Sequence, residues 1–167
     1  IYHAVDRADA HVISMSLGGP FYSRALAEAI DHAIGRGVIV LAAAGNVWPF
    51  VVYPAGLTNV IAVAASNCLR QPWRSSARGR SVDISAPGES VWRALAVYLR
   101  GQLQTSVAPG SGTSYAVANV AGACARRAVD GATVGAASDV ASRHRKSALS
   151  GFARRRSSGT LGQSDER

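Results

Sequence analysis

Val12-Ile13-Ser14-Met15-Ser16-Leu17, residues 22–36 (YSRALAEAIDHAIGR) and Val38-Ile39-Val40-Leu41-Ala42-Ala43-Ala44 form the stretch whose reading decides the fold. The last segment is an unbroken apolar run between Gly37 and Gly45. Such a run is expected of a parallel strand covered on both faces. The middle segment places Ala25, Leu26, Ala29, Ile30 and Ala33 on one helical face, with Ser23 as cap and Gly37 as stop. Residues 12–44 are therefore predicted to be a strand–helix–strand unit. It implies an α/β fold, a mostly parallel sheet in three layers with helices on both faces.

The same logic extends outward. Ile1, Ala4, Val5 and Ala8 have helical spacing, broken at Asp9-Ala10. Val60-Ile61-Ala62-Val63-Ala64-Ala65 is predicted as a third buried strand, and Val82-Asp83-Ile84-Ser85 as a short one stopped by Ala86-Pro87-Gly88. Residues 66–81 are polar and arginine-rich, a surface loop. Val91–Ala94 reads as a further short strand and residues 96–111 as a loop or weak hairpin. A helix is expected from about Ser114 to about Val129, before Gly131.

Composition narrows the classes. The chain has 167 residues, 48% hydrophobic, enough for one domain with a core. No 18-residue apolar run occurs, so no membrane span is expected. Net charge is +8. Residues 1–138 carry eleven basic against seven acidic side chains, and residues 139–167 seven against three. Residues 136–167, with Arg154-Arg155-Arg156, read as a basic, disordered tail following a domain at 1–135. No aromatic residues interleave with those arginines, so nucleic acid is not an expected partner. Cys68 and Cys124 lack metal-ligand spacing and either pair or stay free.

Chemistry concentrates at three strand or helix ends, where open parallel sheets bind ligands. Pro109-Gly110-Ser111-Gly112 leads through Thr113 into Ser114, at the start of a helical pattern. A serine there lies beside orphan N–H groups and the positive helix end, which favours developing negative charge. It is also simply a good cap. Ser16-Leu17-Gly18-Gly19 ends the first strand with two glycines, and Ala44-Gly45-Asn46 ends the second with an amide.

These blocks together resemble the subtilisin-like serine proteases (subtilases, peptidase S8), specifically the C-terminal part of the catalytic domain. Ser16–Gly19 is similar to the family's substrate-binding strand end, and Ala42–Asn46 to its oxyanion-hole segment. Tyr53-Pro54-Ala55-Gly56 with Val60–Val63 resembles its specificity-pocket segment and the strand that follows. Asp83–Gly88 resembles a structural block, and Gly112–Gly122 the catalytic-serine helix. The resemblance implies that Ser114 is the nucleophile and Asn46 an oxyanion donor. It implies that Ser16, Leu17, Gly18 and Gly19 pair with an extended peptide or protein substrate. Ala43, Ala44, Gly45, Val52, Tyr53, Pro54 and Ala55 would line an apolar pocket that Val52 makes shallow, with Gly112 and Thr113 beside the serine. Tyr53-Pro54 is a cis candidate by the same likeness. The resemblance also implies secretion, and calcium in the parent protein, though no cofactor is assigned to this chain.

The likeness is incomplete. The family's Asp-Thr/Ser-Gly and His-Gly-Thr-His blocks are absent, and His3, His11, His32 and His144 lack that context. Ala118-Asn119 stands where the family usually has Pro-His, and past Gly131 the resemblance stops. Loss of the triad histidine costs a subtilisin about 10⁶ in turnover. The 167 residues alone are thus expected to be an inactive fragment of a serine endopeptidase. The alternative is a non-catalytic subtilase-like module that binds peptides.

Overall fold

The computed structural model describes residues 1–47 and 50–129, the last three by backbone alone. Expectations for residues 136–167, and for His144, lie outside the described residues. The order of elements is α1 (Tyr2–Asp6), β1 (Val12–Met15), α2 (Arg24–Gly35), β2 (Ile39–Ala43), β3 (Ile61–Ser66), β4 (Ile84–Pro87), β5 (Val91–Leu99), β6 (Gln102–Gly110) and α3 (Thr113–Val129). Strands β1-β2-β3-β4 form one parallel sheet in that spatial order.

Side-chain alternation explains the layers. Met15, Val40, Ala42 and Ala62 face Ile30 and Ala33 of α2 and Val5 of α1. Their neighbours Leu41, Ala43, Val63, Ala65 and Ala86 face Ala116 and Val117 of α3. Because β2 and β3 serve both clusters, all but their first residues are buried. The result is the expected α/β sandwich of helix, parallel sheet and helix. Alanines at the contacts let the helix backbones approach the sheet closely.

Local signals explain most boundaries. The Ser23 hydroxyl accepts the Leu26 N–H at 3.4 Å and caps α2. Gly37, at φ +82°, turns the chain from α2 into β2. Asp9, at φ +48°, follows α1.

Two expectations need correction. The fourth strand runs from Ile84 to Pro87 rather than from Val82 to Ser85. Asp83 still donates its N–H to Ala62 O at 3.0 Å, but its side-chain carboxylate rather than a backbone carbonyl accepts the Ala62 N–H, at 2.8 Å. Pro87 is tolerated because it closes a strand at the sheet's edge, where a missing N–H breaks no ladder. Residues 91–110 are one long antiparallel hairpin: of the two readings of residues 96–111 it is the hairpin that forms, and the strand expected at Val91–Ala94 extends to Leu99 as its first arm. Its two-residue turn is Arg100-Gly101, at φ +51° and +80°, a left-handed pair that suits the twist of hairpin strands.

Candidate functional site

The C-terminal end of β2 and the N-terminus of α3 meet through one hydrogen-bond relay, and the end of β1 joins the same helix turn by a separate bond. The Gly45 N–H donates to Thr113 Oγ1 at 3.2 Å. The Thr113 hydroxyl donates to Asn46 Oδ1 at 2.9 Å, and the Thr113 N–H donates to the same oxygen at 2.8 Å. Thr113 is almost wholly buried, so these bonds are shielded from water. Two donors on one amide oxygen fix which way the Asn46 side chain points. Its Nδ2 group is left with no acceptor among the described residues, and it lies beside Gly112, where an added Cβ would stand 3.4 Å from it. Thr113 therefore does not cap its own helix; its hydroxyl orients Asn46.

Ser114 is the next residue along α3 and is half-buried. Its hydroxyl has no hydrogen-bond partner among the described residues, and its N–H is one of the orphan donors of the helix start. The Ser16 hydroxyl donates to the Ser114 carbonyl at 3.3 Å, joining the β1 end to the same helix turn. Gly112 donates its N–H to Gly88 O at 2.8 Å. A Cβ on Gly88 would stand 2.7 Å from the Ala65 Cβ and 2.8 Å from Gly112 O, so glycine is required there.

Leu17 and Gly18 are exposed beyond β1. Gly19 differs from expectation. Its N–H donates to Tyr53 O at 2.9 Å and its carbonyl accepts from Tyr53 N at 2.8 Å, so neither group is free to pair with a substrate. The open edge is Ser16-Leu17-Gly18. Val52 fills the space between this edge and the β2 end. A Cβ on Gly18 would lie 2.5 Å from Val52 Cγ2, and one on Gly45 would lie 3.1 Å from Val52 Cγ1. Ala43, Ala44, Pro54 and Ala55 are buried behind it, and the Tyr53-Pro54 bond is cis.

The described histidines all belong to the other end of the sheet. His3 is on α1 and His32 near the end of α2, before β2 begins. His32 Nε2 is bonded to Asp6 Oδ1 at 2.9 Å, and its ring packs on Tyr2. His11 precedes β1 and lines a cavity of about 120 Å³ with Val5, Asp9 and Arg36. Asp83, the acid nearest a family block, is engaged with β3. Asn119 donates to Pro87 O at 2.9 Å and so ties α3 to the end of β4. Both cysteines are free; Cys68 is exposed, and burial pushes the Cys124 thiol pKa up. Among the described residues no group of three or more His, Cys, Asp or Glu is placed to hold a metal ion. No helix among them is long and apolar enough to cross a membrane.

One contributor was missed in the sequence. Ala77, fully buried inside the arginine-rich loop, donates its N–H to Gly45 O at 2.9 Å. The available signal was the small triplet Ser75-Ser76-Ala77 among arginines.

A parallel sheet flanked by helices thus brings a helix-start serine, an oriented amide and an open strand edge together at one end. The chain belongs to the subtilase family, peptidase S8, whose model matches residues 1–144, past the Gly131 limit expected from the sequence. It is 40% identical over 119 residues to subtilisin from Bacillus pumilus, covering 68% of this chain and 41% of that protein. To subtilisin E of Bacillus subtilis it is also 40% identical, covering 68% and 29%. The major intracellular serine protease of Bacillus subtilis is 36% identical over 131 residues, covering 75% and 39%. The chain thus spans well under half the length of these relatives. Among solved structures, the prenylagaramide maturation protease PagA is similar with a TM-score of 0.63 and 28% identity, covering 73% of this chain and 44% of that one.

Proposed function

We propose that residues 1–129 carry the nucleophile, oxyanion and substrate-binding half of a serine endopeptidase. Ser114 Oγ gives up its proton to a base and attacks the peptide carbonyl. The tetrahedral intermediate collapses to an acyl-enzyme as the C–N bond breaks and the amine leaves with that proton, and water then hydrolyses the ester to the free acid and Ser114. Asn46 Nδ2 and the Ser114 N–H donate to the tetrahedral oxyanion. Ser16-Leu17-Gly18 pairs with the backbone on the acyl side. The slot beside Val52 takes a small or medium apolar side chain. The observation that carries this reading is the Thr113 relay, which leaves the Asn46 Nδ2 group unspent one residue from Ser114.

Hydrolysis also needs a base to take the Ser114 proton. The described histidines belong to the far end of the sheet, which supports an isolated chain without turnover, its base supplied from outside these residues. The same observation favours the second reading, a peptide-binding module with no chemistry. Labelling with a fluorophosphonate separates them, using the whole protein encoded by the gene, this chain, and Ser114→Ala versions of each. Labelling of the whole protein alone, abolished by Ser114→Ala, is expected. A folded whole protein that does not label overturns the enzyme reading. In a labelling protein, Asn46→Ala is expected to lower turnover on the order of 10²–10³-fold, the loss known for this donor in a subtilisin. Secretion is part of this reading and is checked by fractionating the producing cells, since one relative is intracellular by name.

A further inference from the structure

The loop of residues 67–82, after β3, contains Arg70, Arg74, Arg78 and Arg80 and no Asp, Glu or Lys. All four arginines are exposed, and none is ion-paired with an acid among the described residues. The loop is held firmly at the site end of the sheet. Trp73 N–H donates to Ala65 O, and Ala77 N–H to Gly45 O, each at 2.9 Å. The buried Ser76 hydroxyl accepts the Ala65 N–H at 2.9 Å. Arg78 immediately follows the residue bonded to Gly45, and its Nη2 reaches the carbonyls of Trp73 and Arg74 at 3.4 and 3.5 Å. Positive charge is thus attached to a rigid loop, one hydrogen bond from the residue preceding Asn46.

Strand order gives this charge a side. Along the C-terminal ends of the sheet come the Ser16–Gly18 edge after β1, Asn46 after β2, and the first part of the arginine loop, residues 67–77, after β3, before the chain returns through Arg80 to Asp83 beside Ala62. A peptide whose acyl half lies on Ser16–Gly18 and whose carbonyl meets Asn46 sends its leaving half toward the β3 end. Residues 12–23, 43–69 and 109–125 contain no Asp, Glu, Lys or Arg. Among the described residues the charges adjoining them at this rim are Glu89, after β4, whose N–H bonds to Ser66 O, and Arg93 of β5, which packs beside Gly110 and Tyr115. Resting on the peptide-site reading above, we propose that Arg70 and Arg74 select substrates with acidic side chains on the leaving-group side of the cleaved bond.

The test uses the 167-residue chain carrying Ser114→Ala and three fluorescent octapeptides with leucine before the central bond. One has two glutamates after that bond, one has glutamines there, and one has the glutamates before it. Anisotropy titrations are expected to show the first binding on the order of ten-fold more tightly than the other two at low salt. The gap should shrink at physiological salt as screening sets in. The preference should vanish in Arg70→Gln/Arg74→Gln and persist both in the corresponding lysine variant and in Arg80→Gln, with circular dichroism confirming the fold of all three. Equal binding of the first two peptides overturns the inference and leaves the peptide site standing. Equal tightening by glutamates on either side of the bond also overturns it, revealing unspecific anion attraction. Failure of all three peptides to bind overturns the peptide site and the inference with it.

Discussion

The parallel sheet and the β5–β6 hairpin are both made of hydrogen-bonded strands, yet they are stabilised differently. Every strand residue of β2 after Ile39 is buried, between α2 on one side and α3 on the other. In the hairpin every residue from Ala96 to Val107 is exposed, including Tyr98 at 75% and Val107 at 67%. The sheet is held by apolar burial on two faces, the outer hairpin by its ladder and its turn. Strand pairing alone therefore does not reveal where stability resides, and the two regions should answer mutation differently.

The largest difference is expected from Leu41→Ala in β2. Leu41 is fully buried, and its truncation should cost about 2–5 kcal/mol in urea unfolding. Gly88→Ala, at the junction of sheet and serine helix, adds a methyl where the neighbours stand at 2.7–3.1 Å. It should cost about 1–3 kcal/mol, read in the same titration. In the hairpin, Val107→Ala should change stability by less than about 0.5 kcal/mol, since that side chain is already in water. A loss there as large as at Leu41 would mean that the outer hairpin is covered in solution. The smallest effect, and the only gain, is expected from Arg100→Asn. Arg100 sits at φ +51°, a conformation asparagine adopts more readily, so slower amide exchange confined to β5 and β6 should follow.

The same contrast explains what was legible in the sequence. Val38–Ala44 and Val60–Ala65 announce themselves because burial on two faces demands unbroken apolar runs. Ser23 and Gly37 mark α2 because their roles are local, a side-chain cap and a left-handed turn. The hairpin was legible only as an alternative to a loop, and its length not at all, because its exposed faces impose no apolar pattern and Arg100-Gly101 is not a usual turn pair. Asp83 was misplaced because its carboxylate reaches Ala62, a contact that spacing along the chain does not reveal. At the site, Ser114, Asn46 and the β1 end were legible as a resemblance in ordered blocks. The closure of Gly19 by Tyr53 and the Thr113 relay depend on segments tens of residues apart.

The bond between the Ala77 amide and the Gly45 carbonyl has a consequence for redesign. It makes the arginine loop and the strand end that presents Asn46 a single mechanical piece. Arg70, Arg74 and Arg80 can be exchanged one for one, because their side chains project from that piece, whereas Arg78 also bonds the carbonyls of Trp73 and Arg74. Inserting or deleting residues between Ser66 and Ala77 would pull on Gly45 and strain the bonds between Asn46 and Thr113. Variation at this rim should therefore be free in charge and fixed in length.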